Sequence, residues 1–206
     1  MVDAKELNRW NERYSGDFYW FGTEPAGFLP TQKHRLPASG SVLCIADGEG
    51  RNSVWLAKQG LDVTAFDFSS PALDKAKKLA ADAGVSVDYQ QADINAWDWD
   101  ARQYDVVAGI FFQFLGPAER ARAFAGINRA LKPGGLLILQ GYNTEQLKYG
   151  TGGPKQLENL YDEKLLRESF AALHILHLAS HEETVSEGKG HQGMSALIDL
   201  VARRPG

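Results

Sequence analysis

The sequence predicts a three-layer α/β fold, with an open, doubly wound and mostly parallel sheet that ends in an antiparallel strand. Short apolar runs alternate along most of the chain with longer amphipathic runs. The run 104–111 is apolar on both faces, as expected for a strand covered on both sides. The last two apolar runs, 173–179 and 196–202, have no helical segment between them, which favours an antiparallel pair.

The first half of the predicted sheet comes from three apolar runs separated by two helices. Strands are predicted at 41–46, 62–67 and 85–90. Helices are predicted at 53–59 and 70–83. Gly60 ends the first helix, while Ser69 or Ser70 caps the second, with Pro71 near its first position. This alternation is typical of parallel strands joined by crossover helices.

The second half begins with the same alternation and then departs from it. Strands are predicted at 104–111, 136–140, 173–179 and 196–202. Helices are predicted at 117–131 and 162–170, and the sequence Lys-Pro-Gly-Gly closes the first of them. A polar loop containing Gly188, Gly190 and Gly193 is expected to join the last two strands.

Residues 1–40 are predicted to form an N-terminal extension to a main domain at 41–206. The segment 4–14 has the pattern of an amphipathic helix, and an aromatic cluster at 18–21 follows it. We expect the extension to be a lid that packs on the domain and shields the reacting group from water.

Composition narrows the function classes. The net charge of -4 and the scattered basic residues disfavour nucleic acid as a partner. No apolar run approaches the roughly 18 residues of a membrane span, and Cys44 is the single cysteine, which fits a reducing compartment. We therefore expect a cytoplasmic protein, a monomer or homodimer, acting on a small molecule. No metal site is predicted, because His174 and His177 fall on opposite faces of one strand.

A glycine-containing turn follows the first strand. Its sequence is Ala46-Asp47-Gly48-Glu49-Gly50, and glycine lets backbone N–H groups approach a ligand near a helix N-terminus. Asp67 ends the second strand, where a carboxylate can accept hydrogen bonds from both ribose hydroxyls. The pair of features predicts a nucleoside-containing cofactor.

Two cofactors fit that pattern. A dinucleotide such as NAD would place its pyrophosphate against the turn, where Asp47 and Glu49 would repel it. S-adenosylmethionine has no phosphate and carries a sulfonium and an ammonium group, so the acidic turn favours it. Arg51 offsets part of this repulsion.

Several segments resemble the motifs of one enzyme family. They are the turn segment 42–52, the strand 62–67, Leu-Lys-Pro-Gly-Gly at 131–135, Tyr-Gly-Thr-Gly-Gly-Pro at 149–154, Trp-Asn-Glu-Arg-Tyr at 10–14 and Phe-Gly-Thr-Glu-Pro at 21–25. On these motifs the chain resembles class I S-adenosylmethionine-dependent methyltransferases, in particular the bacterial tellurite-resistance group and, more distantly, the thiopurine methyltransferases. The resemblance implies a Rossmann-like, seven-stranded sheet with an antiparallel terminal strand, and methyl transfer that yields S-adenosylhomocysteine.

The resemblance also implies the residues that contact the cofactor. The predicted set is Tyr14, Ala46, Asp47, Gly48, Gly50, Asp67, Phe68, Ala92, Asp93, Ile94, Gly109, Ile110 and Phe111. Within it, Asp67 would hold the ribose, Asp93 would face the adenine amino group, and Phe111 with its two preceding residues would border the sulfonium after the fourth strand. Two positions depart from the family, which often has an acid at Cys44 and a glycine at Ala46.

Methyl transfer requires alignment and exclusion of water more than it requires a catalytic side chain. The expected acceptor is a small molecule such as a thiol, selenium or tellurium species, which needs little help from a base, whereas an oxygen or nitrogen acceptor calls for one. His191, in the polar loop after 179, is the candidate base or substrate contact, and a site without any catalytic side chain is the alternative. Gln113, Tyr142 and Asn143 follow strands where side chains contact substrate in this fold. A protein that binds S-adenosylmethionine without turnover and an NAD-dependent oxidoreductase are the alternatives.

Overall fold

The computed structural model describes residues 4–206, so the first three residues of the predicted extension lie outside the described part. The chain forms two compact units. The first contains the residues up to Asp98 together with Glu187–Gly190, and the second contains Trp99–Ser186 and His191–Gly206. The predicted division at 40/41 stays a prediction.

The first unit contains three parallel strands and their connecting helices. Its elements are α1 (Ala4–Tyr14), α2 (Phe28–Thr31), a 3-10 helix (Lys33–Arg35), β1 (Ser41–Ile45), α3 (Arg51–Lys58), β2 (Asp62–Asp67), α4 (Ser70–Asp82) and β3 (Asp88–Gln91). β2 pairs in parallel with β1 on one side and with β3 on the other. The carboxyl ends of these strands therefore lie at one edge of the sheet.

Helix α4 shows how the spacing of apolar residues predicts a helix in this unit. Its buried residues are Ala72, Leu73, Ala76 and Ala80, a helical spacing that gives one apolar face. After the helix, the backbone N–H of Val85 donates to the carbonyl of Ala80 across a left-handed Gly84. This closure keeps Val85 with the helix end, so β3 begins at Asp88 and not at the predicted position 85.

The second unit combines parallel and antiparallel pairing. Its elements are β4 (Tyr104–Ile110), α5 (Pro117–Ala130), β5 (Leu131–Tyr142), 3-10 helices (Thr144–Lys148 and Leu157–Asn159), α6 (Glu163–Ser169), β6 (His174–Glu187) and β7 (His191–Arg203). β5 is parallel to β4 and antiparallel to β7.

The seven strands form one sheet in the order β3-β2-β1-β4-β5-β7-β6. The order, the parallel pairs and the antiparallel β7 confirm the predicted fold class. In the described part of the chain, no helix is both long and apolar enough to cross a membrane.

The last two strands are much longer than predicted. β6 continues to Glu187 and β7 begins at His191, so most of the predicted polar loop is strand. β6 is last in the strand order, and most of its residues are partly or fully exposed. An edge strand with exposed faces carries polar side chains, and for that reason hydrophobicity does not reveal its full length.

Candidate functional site

The turn between β1 and α3 contains three residues with left-handed backbone. Ala46, Gly48 and Gly50 have φ angles of 47°, 61° and 91°. A Cβ on Gly50 would lie 2.8 Å from the Cα of Ala76, so Gly50 allows close packing of the turn on α4. A Cβ on Gly48 would lie 3.2 Å from the hydroxyl of Tyr14. The backbone of the turn is thus covered by Tyr14 at Gly48 and packed on α4 at Gly50.

Ala46 carries strain that a glycine would relieve. Because its φ of 47° is unfavourable for a residue with a Cβ, we expect Ala46→Gly to raise the free energy of unfolding by up to about 1 kcal/mol. Urea unfolding of both proteins measures this change. Ala65→Gly, in the regular backbone of buried β2, is the control and should destabilise the protein. A loss of stability in Ala46→Gly would show that the turn has no strain to relieve.

Asp67 lies at the end of β2 with its carboxylate directed at the turn. One carboxylate oxygen accepts from the backbone N–H of Gly48 and the other from that of Ser69, both at 2.9 Å. Burial raises the pKa of Asp67 to about 6, against the effect of these hydrogen bonds. Since each carboxylate oxygen can accept more than one hydrogen bond, Asp67 retains capacity for further donors.

Asp47 places a second carboxylate in the turn. Its Oδ1 accepts from the backbone N–H of Ser53 at 3.3 Å. Its Oδ2 is buried and has no hydrogen-bond partner among the described residues. Burial, together with the charge of Asp67, raises the pKa of Asp47 to about 7. An unsatisfied buried carboxylate oxygen is costly, so this atom suits a hydrogen-bonding cation.

Tyr14, the last residue of α1, reaches the turn from the N-terminal extension. Its side chain is 6% exposed and stacks on Trp10 with ring centroids 5.4 Å apart. Burial raises the pKa of Tyr14 well above its usual value, and the charges of Asp67 and Glu49 act in the same direction. The extension therefore brings a neutral hydroxyl next to two carboxylates.

The remaining predicted residues of this unit lie beside Asp67. The backbone N–H of Ala92 donates to the carbonyl of Asp67 at 3.0 Å, which joins the ends of β2 and β3. The Asp93 carboxylate accepts from the backbone N–H of Asn95 at 2.9 Å. Ile94 is 3% exposed, whereas Phe68 is partly exposed. The structure thus gathers the predicted segments at 46–50, 67–68 and 92–94 at one edge of the sheet.

Glu49 has a role that the sequence did not indicate. Its Oε2 accepts from the backbone N–H groups of Trp20 and Phe21 at 2.7 and 3.4 Å, and its Oε1 pairs with Lys75 at 2.8 Å. Glu49 is 3% exposed. Its charge is therefore used to fasten the extension to α4, and Asp47 alone supplies the turn with a carboxylate open to a ligand.

Residues 187–190, at the tip between β6 and β7, also hold the extension. Glu187 pairs with Arg51 at 2.8 Å and accepts from the backbone N–H of Gly27 at 2.9 Å. The backbone N–H groups of Lys189 and Gly190 donate to the carbonyl of Trp20 at 2.8 and 3.0 Å.

In the second unit, the predicted segment at the end of β4 is partly within the strand. Gly109 and Ile110 are its last two residues and Phe111 follows it, so the strand ends one residue before the predicted position 111. Phe111 has a φ of 57°, a strained value for an aromatic residue. Its N–H donates to the carbonyl of Gln140 at 2.9 Å, and its ring lies 5.0 Å from that of Tyr142. These contacts hold the strained conformation in place.

His191 is buried, and its predicted position in a polar loop is wrong. It begins β7 and is 6% exposed. Its imidazole ring lies 4.4 Å from the ring of Phe111 and 5.8 Å from that of Tyr142, edge-to-face in both cases. The long edge hairpin, which hydrophobicity did not reveal, carries this residue into an aromatic cluster.

Of the three polar residues expected to contact substrate after β4 and β5, Gln113 and Asn143 are occupied by the backbone. The Gln113 amide accepts from the N–H of Tyr142 and donates to its carbonyl. Asn143 accepts from the N–H of Glu145 and donates to the carbonyl of Leu197. Both side chains thus support the end of β5 and are not free for a ligand.

The chemistry of these residues fits S-adenosylmethionine. Across residues 4–206, no group of three or more His, Cys, Asp or Glu side chains could hold a metal ion. The buried Oδ2 of Asp47 without a partner suits an ammonium group, and Asp67 suits vicinal hydroxyls.

Comparison with known proteins finds similarity to methyltransferases. Residues 42–135 match the methyltransferase domain family. The chain is 32% identical over 126 residues to a demethylmenaquinone methyltransferase of Renibacterium salmoninarum. The matched residues cover 61% of this chain and 48% of the relative. The chain spans about half the length of the curated relatives it matches.

Solved structures agree in fold. N-methyltransferase NodS from Bradyrhizobium japonicum, solved with S-adenosylhomocysteine, matches with a TM-score of 0.73 and 16% identity over 97% of this chain and 98% of that one. TehB from Haemophilus influenzae matches with a TM-score of 0.72 and 17% identity, and the match covers 97% of this chain and 67% of TehB. These matches confirm the predicted resemblance: residues 42–135 are similar to a methyltransferase domain, and the fold is that of solved methyltransferase structures, one of which was solved with S-adenosylhomocysteine.

Proposed function

We propose that this protein transfers the methyl group of S-adenosylmethionine to a small thiol, or to a selenium or tellurium species of similar nucleophilicity. The single observation that carries the proposal is the buried, unpartnered Oδ2 of Asp47 in a turn that also contains Gly48 and faces Asp67. A phosphate-free cofactor with an ammonium group matches that charge, whereas a pyrophosphate would be repelled.

The residues gathered at the edge of the first unit would divide the cofactor between them. Asp47 would receive the ammonium group and Asp67 the ribose hydroxyls, with Gly48 between them in the turn. Phe68 and Ile94 would pack against the adenine, and Tyr14 would cover the turn. The role of Phe111 and its two preceding residues, in the second unit, beside the sulfonium stays a prediction.

The reaction needs little from the protein beyond alignment. When bound, the cofactor supplies an activated methyl group, so the acceptor sulfur forms a bond to the methyl carbon as the bond from that carbon to the sulfonium breaks. The thiol proton must leave, and the His191 imidazole would take it. The rings of Phe111 and Tyr142 around His191 suit a polarisable sulfur atom.

We also infer that the protein works in the cytoplasm on small molecules, without a nucleic-acid or membrane partner, as a monomer or homodimer. The net charge of -4 and the single, buried cysteine support this setting. A tellurium acceptor would give the protein a role in tellurite resistance.

Methyl-donor turnover tests the proposal directly. S-adenosylhomocysteine release is measured with small thiols, selenite and tellurite, and with a demethylmenaquinone-type quinol, the acceptor class that the name of one relative indicates. We expect turnover with the thiols. Tight binding of S-adenosylhomocysteine without turnover of any acceptor would favour a non-catalytic binding protein. Binding of NAD in its place would favour an oxidoreductase.

His191→Asn is expected to lower kcat for a thiol about 10²-fold at pH 6.5, because a base contributes most when the thiol is protonated. The deficit should shrink as the pH rises past about 8.5, where the thiol ionises without help. Steady-state kinetics across this range measure the effect, and calorimetry should find S-adenosylhomocysteine binding unchanged. His34→Asn, at an exposed position, is the control. An equal loss at every pH would argue for a packing role only.

A further inference from the structure

Arg120 is a buried cation that no carboxylate neutralises within the described residues. It lies in the first turn of α5 and is 8% exposed. Its guanidinium donates to the backbone carbonyl of Glu158 and lies 5.8 Å from the ring centroid of Tyr161. A guanidinium has five N–H donors, so most of its hydrogen-bonding capacity is unused in residues 4–206. A buried charge in this state favours a counter-ion from outside the chain.

Tyr161 adds a second unsatisfied donor next to Arg120. The residue is 1% exposed, and its hydroxyl is buried without a hydrogen-bond partner in the described part of the chain. The ring is fixed by Phe124 at 5.6 Å, and the backbone N–H donates to the carbonyl of Tyr142 at 3.1 Å. A buried hydroxyl without a partner costs about 1–3 kcal/mol, and a ligand that accepts a hydrogen bond from it would remove that cost.

From these two groups, we propose that Arg120 and Tyr161 form a site for a carboxylate. One positive charge matches one carboxylate charge, and the planar guanidinium can donate to both carboxylate oxygens while the tyrosine hydroxyl donates to one. Neither residue offers an anionic group that would repel the ligand. The carbonyl of Glu158 belongs to the exposed 3-10 helix Leu157–Asn159, which places the guanidinium close to the protein surface.

The backbone connects this site to the aromatic cluster around His191. Tyr161 bonds to Tyr142, and the ring of Tyr142 contacts those of Phe111 and His191. The carboxylate therefore belongs either to the methyl acceptor or to a free carboxylic acid that binds beside it. The first of these sources rests on the proposed function, but carboxylate binding itself does not.

Calorimetry on the full chain saturated with S-adenosylhomocysteine tests the site without requiring turnover. Propionate and 3-mercaptopropionate are the probes, with 1-propanol and inorganic phosphate for comparison. We expect both carboxylates to bind and 1-propanol not to bind. Arg120→Met and Tyr161→Phe should each weaken carboxylate binding about tenfold or more, the loss expected for a charge-assisted hydrogen bond. Arg122→Met, on the exposed side of α5, should leave it unchanged.

Tyr161→Phe keeps the test meaningful if Arg120→Met fails to fold. It removes only a hydroxyl that has no partner, so its unfolding temperature should match or exceed that of the wild type. Absence of carboxylate binding, equal affinity for phosphate, or unchanged affinity in Tyr161→Phe would each overturn the proposal.

Turnover then identifies the source of the carboxylate. If it belongs to the acceptor, 3-mercaptopropionate should exceed 3-mercaptopropanol in kcat/KM about tenfold, and propionate should compete with both. If it is a separate acid, propionate should bind without competing. Failure of every thiol would refute the proposed acceptor class while the calorimetric result stands.

Discussion

Replacing Asp47 by asparagine is expected to stabilise the protein at pH 8 and to weaken its binding of S-adenosylhomocysteine. The carboxyl of Asp47 is buried, and its pKa is raised from 3.8 to about 7. An acid whose pKa is raised by folding contributes stability that is complete below about pH 4 and is lost as the pH rises through about 7. Asparagine avoids this loss because it has no charge to bury.

The expected gain in Asp47→Asn at pH 8 is on the order of 2–4 kcal/mol, since each pKa unit corresponds to about 1.4 kcal/mol. At pH 4 the two proteins should be nearly equal. Urea unfolding at both pH values measures the difference, and calorimetry should find at least a tenfold loss in affinity for S-adenosylhomocysteine. Asp74→Asn, whose carboxylate side chain is 78% exposed, should change neither quantity. A variant less stable at pH 8 would show that the charge supports the fold.

Glu49→Ala is expected to lower the free energy of unfolding by a large amount, in contrast to the gain expected for Asp47→Asn. The change removes the partner of Lys75, whose side chain is 15% exposed, and leaves the N–H groups of Trp20 and Phe21 without their acceptor. Breaking a buried ion pair in this way costs about 3–5 kcal/mol. Chemical unfolding measures the loss, and hydrogen exchange should increase first at residues 18–21.

A matched surface pair separates this effect from a general loss of charge. Asp82→Ala breaks the exposed pair with Lys78 and should cost less than about 1 kcal/mol. If Glu49→Ala also costs less than about 1 kcal/mol, or if hydrogen exchange at residues 18–21 is unchanged, the extension is held by its aromatic contacts and not by Glu49.

Local patterns predicted the first unit well. Strand periodicity, the caps of α4 and the glycines after β1 are set by neighbouring residues, so the edge formed by Asp47, Gly48 and Asp67 could be anticipated. The role of Glu49 could not, because its partners Trp20 and Lys75 are distant in sequence and an acidic residue in a turn has no local sign of an ion pair.

The second unit was less predictable for a physical reason. Polar residues occupy the exposed edge strand β6, so the sequence around His191 is typical of a loop although the residue is buried in β7. Gln113 and Asn143 are polar residues at positions typical of a site, but their amides satisfy backbone groups. The burial of Arg120 could not be predicted from the sequence, because an arginine in a helix is usually exposed.

The contacts made by residues 187–190 have a consequence for the order of folding during synthesis. Trp20 and Gly27 receive hydrogen-bond partners from a segment that leaves the ribosome more than a hundred residues later. The early part of the chain can form its parallel strands as it emerges, since domains fold largely as they are made. Residues 20–27, however, lack these partners until residues 187–190 have left the ribosome, so the N-terminal extension completes its contacts late in synthesis.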